Sequence, residues 1–121
     1  MTKFQNASQY DLEERTYRFA ENTRAFVKIL DKTIANIEDG KQVIRSSGSV
    51  GANYIEANEA LSKKDFLMRI KICRKEAKES RYWFRLIDTN NKKELIEKRN
   101  LLAQEATELT KIFSAIIQKS Q

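Results

Sequence analysis

The chain has 121 residues, 33% of them charged and 40% hydrophobic, carries a formal net charge of +6, and contains neither proline nor histidine. That length suits a single domain with one core. The absence of histidine excludes imidazole relays and the Glu-x-x-His sites of di-iron bundles, and no apolar run approaches the roughly 20 residues needed to cross a bilayer.

With three Gly and no Pro there is little turn chemistry for β-hairpins, so long helices with short connections are expected. The N-terminus lacks the basic-then-apolar layout of a secretory signal. A single cysteine, Cys73, rules out an internal disulfide and fits a reducing compartment. The expectation is a soluble, cytoplasmic protein. Its charge is uneven: residues 63–99 hold 13 Lys/Arg against 6 Asp/Glu, while the remainder hold 10 against 11. A regional excess of this kind speaks to polyanionic partners and not to fold.

Residues 1–10 are polar and expected to be flexible, with a single domain over 11–121. Asp11-Leu12-Glu13-Glu14 has the form of a helix start, an N-cap Asp followed three residues later by Glu. Leu12, Thr16, Phe19, Thr23, Phe26, Leu30, Thr33 and Ile37 then recur at steps of four and three, predicting one buried stripe on a helix over 11–36. A break near 36–40 leads to a second helix with the seam Val43, Ser47, Val50, Tyr54, Ala57 and Leu61. Its middle, Ser46 to Ala52, is small-sided, which costs up to about 1 kcal/mol per Gly in helix propensity and predicts close approach of a neighbouring backbone. The Gly-x-x-Gly spacing there lacks the Lys-Ser/Thr and the preceding strand of a phosphate loop.

Ser62-Lys63-Lys64-Asp65 resembles a capping box and opens a third helix over 63–89, with the seam Phe66, Ile70, Cys73, Ala77, Ser80, Phe84 and Ile87. Thr89-Asn90-Asn91 reads as a turn, with Asn91 and Glu94 placed to cap a fourth helix over 92–118. That helix presents Leu95, Leu102, Ala106, Leu109, Phe113 and Ile116, and Arg99 interrupts the seam with its charge expected in water at the bundle end. Four amphipathic helices joined by short loops predict an all-α, antiparallel up-down-up-down four-helix bundle.

No residues converge on a reaction. Cys73 falls on a core seam, where a thiol behaves as a small hydrophobe. The pairs Glu56/Glu59 and Glu76/Glu79 read as solvated helix-face carboxylates. No enzyme activity, metal or cofactor is expected. The third helix does carry a second pattern opposite its core seam. Lys64, Met68, Lys71, Lys75, Lys78, Tyr82 and Arg85 recur at four-three spacing, with Arg74 and Arg81 nearby. Such a row can follow phosphates, and Tyr82 offers a ring for stacking. The competing reading is a solvated, solubilising face. Ile72, Trp83 and Leu86 form a third stripe, which suggests a subunit interface. The alternative there is a broad core that takes in Trp83 at its margin.

Arg45-Ser46-Ser47, Val50 to Ala57, Ser62 to Phe66 and Ala77 to Leu86 together resemble the four-helix-bundle family associated with intervening sequences of bacterial large-subunit ribosomal RNA genes. The likeness extends over nearly the whole chain. One departure is that many relatives have a proline-containing segment where Ser49-Val50-Gly51-Ala52-Asn53 stands. The resemblance implies a homopentameric barrel. Through a related branch, the accessory variability determinant of diversity-generating retroelements, it implies a basic protein that binds nucleic acid and a reverse transcriptase. It brings no catalytic residues. The resulting expectation is a non-enzymatic nucleic-acid-binding scaffold, with RNA preferred over DNA and no membrane contact. The alternative is a helical protein-interaction module without nucleic acid.

Overall fold

The computed structural model describes the chain from Lys3 to Gln121, with side chains from Asp11 onward. It consists of α1 (Lys3–Lys28), α2 (Ile34–Asn58), α3 (Lys63–Leu86) and α4 (Lys93–Ser120). Each helix packs on its neighbour in sequence, and α1 closes against α4, giving the expected up-down bundle. The expected loose segment, residues 1–10, falls outside the side chains described.

The core is built from the four-three stripes. Leu12, Phe19, Phe26 and Leu30 of α1 and its exit meet Val43, Val50, Tyr54 and Ala57 of α2. Ile70, Cys73, Ala77 and Phe84 of α3 meet Leu95, Leu102, Ala106, Leu109, Phe113 and Ile117 of α4. Phe84 lies edge-on to Phe19 at 6.1 Å and tilted against Phe26 at 6.2 Å, so one α3 ring packs against two from α1. Fully burying a side chain of this size contributes about 1.5–3 kcal/mol. Polar residues on the stripes satisfy themselves locally: Thr16 and Thr23 hydroxyls donate to the Glu13 and Phe19 carbonyls of their own helix.

The small-sided middle of α2 is where α1 comes close. A Cβ on Gly51 would sit 3.0 Å from Thr16 Oγ1 and 3.2 Å from Thr16 Cβ, and one on Gly40 would sit 3.0 Å from Val27 Cγ1. Larger side chains would push the helices apart. On the α3 side, buried Ser46 and Ser80 share a hydrogen bond of 2.8 Å.

Several boundaries differ from expectation. The first helix begins at Lys3, so Asp11 lies inside it, and it ends at Lys28 instead of 36. Thr33 and Ile37 are exposed and not core, because the chain turns over residues 29–33. Thr33 is instead the N-cap of α2, its hydroxyl accepting from the Asn36 amide at 3.1 Å. Asn36 is the buried residue there. Its side-chain amide donates to the Asp31 and Asp88 carbonyls and its oxygen accepts from the Asp88 amide, tying the α1–α2 connection to the α3–α4 connection.

Leu61 is fully exposed, since α2 ends at Asn58 and the seam stops with it. Asn91 does not cap α4. Asn90 and Asn91 both take positive φ in the turn, a conformation asparagine tolerates, and Lys92 is the N-cap with no side-chain bond. Ile117, one residue beyond the expected Ile116, is the buried end of the α4 stripe. Arg99 is half-buried, donating from Nη1 to the Ile87 carbonyl at 3.3 Å and so serving one of the free carbonyls at the end of α3.

Candidate nucleic-acid interface

Both ends of α3 are well defined. Ser62 is its N-cap, accepting from the Asp65 amide at 3.0 Å, with Asp65 adding negative charge in the first turn. Ile87, buried, ends it. The helix is 24 residues long, about 36 Å. With Ile70, Cys73, Ala77, Ser80 and Phe84 buried, the opposite face must point outward. Lys64, Met68, Lys71, Lys75, Lys78, Tyr82 and Arg85 are all exposed there, as is Arg81, and Arg74 is half-buried on the flank.

The charges on this face are unneutralised. Among the described residues, Lys64, Lys71, Arg74, Lys78, Arg81 and Arg85 have no carboxylate within 4.0 Å, and Lys75 reaches Glu76 only at 3.9 Å. Several cations elsewhere are paired. Arg15 holds Glu105 and Glu108 of α4, Lys92 holds Asp31, and Lys98 holds Glu94.

Two of the three acids of α3, Glu76 and Glu79, are engaged from α2. Arg45 of α2 bonds Glu76 Oε1 at 3.2 Å and Glu79 Oε2 at 3.3 Å. Glu76 is 6% exposed, so it is not the solvated carboxylate that the sequence pattern predicts. Hydrogen bonds from Arg45 make it an interhelix tie, and the Glu76 bond in turn raises the Arg45 pKa.

Tyr82 is 56% exposed in the middle of the C-terminal half of the row. The Trp83 ring meets it edge-on, centroids 5.1 Å apart and planes at 79°. Trp83 is half-buried and packs against the core, and its shielded indole Nε1 has no acceptor among the described residues. Ile72 is also half-buried and Leu86 exposed.

Cys73 lies wholly inside the bundle, and burial pushes its thiol up to about 12. A thiolate nucleophile is disfavoured in that setting. Among the described residues, no group of three His, Cys, Asp or Glu is placed to hold a metal ion. None of the described helices is long and apolar enough to cross a membrane.

One surface feature is absent from the sequence reading. The α1/α4 seam is open, with a cleft of about 550 Å³ lined by Glu14, Arg15, Phe19, Leu101 and Glu105, and an adjoining one of about 390 Å³ that includes Phe26, Ile29 and Lys98. Leu101 lines both and is 71% exposed. The signal was present in the adjacent pair Leu101-Leu102: a helix turns about 100° between neighbours, so both cannot lie on the same stripe.

The family model of the 23S rRNA-intervening sequence protein matches residues 8–115. The chain belongs to that family. Within the 23S rRNA-intervening sequence proteins, it is similar to a solved structure described as a protein of unknown function from the S23 ribosomal protein family of Bacteroides thetaiotaomicron. The two share 30% identity over 87% of this chain and 96% of that one, with a TM-score of 0.75. No curated protein matches the chain.

Proposed function

We propose that this protein is a non-enzymatic, basic scaffold that binds nucleic acid, RNA in preference to DNA, along the outer face of α3 and works as a homo-oligomer, a pentamer by family likeness. The observation that carries this reading is the row Lys64, Lys71, Lys78 and Arg85. Its members stand seven residues apart on one exposed face, with no carboxylate partner among the described residues. Seven residues advance the helix by about 10 Å, so the row forms a regular line of positive charge. In a ring each row appears once per copy, and modest contacts sum by multivalency.

The non-enzymatic part is supported by the inward placement of Cys73 and by the engagement of Glu76, Glu105 and Asp31 in ion pairs. A reverse-transcriptase partner rests on the family likeness alone, and co-purification with such an enzyme encoded beside this gene tests it.

The deciding experiment is binding of the purified protein to structured RNA and to duplex DNA across a salt series. Submicromolar binding that weakens steeply with salt is expected. Replacing Lys71, Lys75 and Lys78 together by Gln should weaken it and reduce the log–log salt slope by about 2 to 3. An unchanged affinity would remove the row from the interface.

The second reading, a protein-interaction module, draws on the α1/α4 cleft with its exposed Leu101. Leu86→Glu and Leu101→Glu, compared by native mass, separate self-association through the Ile72/Trp83/Leu86 face from self-association through that cleft.

A further inference from the structure

The basic row is interrupted twice by an apolar side chain, and both interruptions have the same form. Lys64, Met68 and Lys71 repeat the spacing of Lys78, Tyr82 and Arg85: a cation, four residues to an exposed apolar group, three more to a cation. The units are 14 residues apart, about 21 Å along α3. Met68 is 48% exposed, and neither apolar group is needed to solubilise the helix or to fill the core. A duplex turns its phosphates outward and hides its base faces, so it can use the cations of such a unit and not its centre. An unpaired strand offers both phosphates and base faces.

Tyr82 is also held in place. Trp83, anchored against the core, abuts its ring edge-on at 5.1 Å and restricts it, while over half of Tyr82 stays open to solvent. Lys78 and Arg85 lie one turn to either side, where the phosphates flanking a stacked base would be.

We infer that the α3 surface is built for single-stranded nucleic acid, with a base stacked on Tyr82 between phosphates held by Lys78 and Arg85. Trp83 is the positioning residue. The inference rests on the nucleic-acid reading above and adds strandedness and a stacking station to it.

The test uses the full-length protein with oligouridylate of about 16 nucleotides, and the same strand annealed to oligoadenylate, at matched salt. The single strand should bind more tightly. Tyr82→Ala should weaken single-strand binding by about tenfold and leave duplex binding unchanged, as expected for the loss of one base stack. Tyr82→Phe should restore it. Trp83 is the only tryptophan, so its emission should change on adding the single strand and not the duplex. Tyr82 is exposed, and an unchanged melting temperature for Tyr82→Ala would exclude unfolding as the cause.

Equal affinity for both forms, or a Tyr82→Ala loss shared by both, overturns strand selection while leaving the phosphate row intact. No binding of either form at low salt overturns the nucleic-acid reading and this inference with it.

Discussion

The hydroxyls of Ser46 and Ser80 meet at 2.8 Å where α2 packs on α3, both out of reach of water. Ser80 also reaches the Glu76 carbonyl at 2.9 Å and Ser46 the Val43 carbonyl at 3.5 Å, and either hydroxyl can supply the hydrogen between the two side chains. Each single Ser→Ala change should cost about 1 kcal/mol. The double change removes both groups and strands neither, so its cost should fall below the sum. Urea unfolding of the four proteins measures this coupling, and strict additivity would show that the bond contributes nothing.

The glycines of α2 should respond in opposite directions. Gly48 faces only the mobile end of Arg24, at 3.4 Å, so Gly48→Ala should stabilise by up to about 1 kcal/mol through helix propensity. Gly51 faces Thr16 at 3.0 and 3.2 Å, with the Thr16 backbone carbon at 3.6 Å. Gly51→Ala should lose that gain and more, since the α1 backbone must retreat. Melting temperatures of the two variants should therefore bracket the parent.

Arg45 leaves buried Glu76 a partner from α2. Arg45→Met should destabilise by about 1 kcal/mol, a small figure because half of the arginine is exposed and screened. Adding Glu76→Gln should recover part of the loss by removing the stranded charge. If Arg45→Met alone is neutral, Lys75 at 3.9 Å suffices.

Cys73 sets an alkaline limit. Its thiol is pushed from 9.0 to about 12 by burial, so the folded state keeps its proton where the unfolded state loses it. The contribution is intact below pH 9 and lost as pH rises towards 12. Stability measured from pH 8 to 11 should fall more steeply in the parent than in Cys73→Ala. A thiol reagent at neutral pH should react only at the rate of unfolding.

The α3 stripe was legible in the sequence because nothing interrupts its period: every position from Ile70 to Ile87 expected on the seam is buried. The end of α1 was not. Thr33 and Ile37 continue the four-three rhythm through a turn, and periodicity cannot see that the chain has left the helix. Asn36 and Glu76 escaped for the opposite reason. Polar residues are buried when specific partners satisfy them, and those partners, Asp88 of the α3–α4 connection and Arg45 of α2, lie far away in the sequence. The outward basic row could be read from α3 alone, since one helix positions all of it. The cleft at Leu101 needs two helices and appears only once α1 is set beside α4.

The clamp at Asn36 makes the two ends of the bundle unequal. It joins two connections that lie 52 residues apart in sequence, whereas the Glu59–Ser62 connection at the other end leaves Leu61 bare. Amide hydrogen exchange should therefore be slowest near Ile87 and quicken along α3 towards Lys63, so that anything lying on its outer face spans a gradient of local stability.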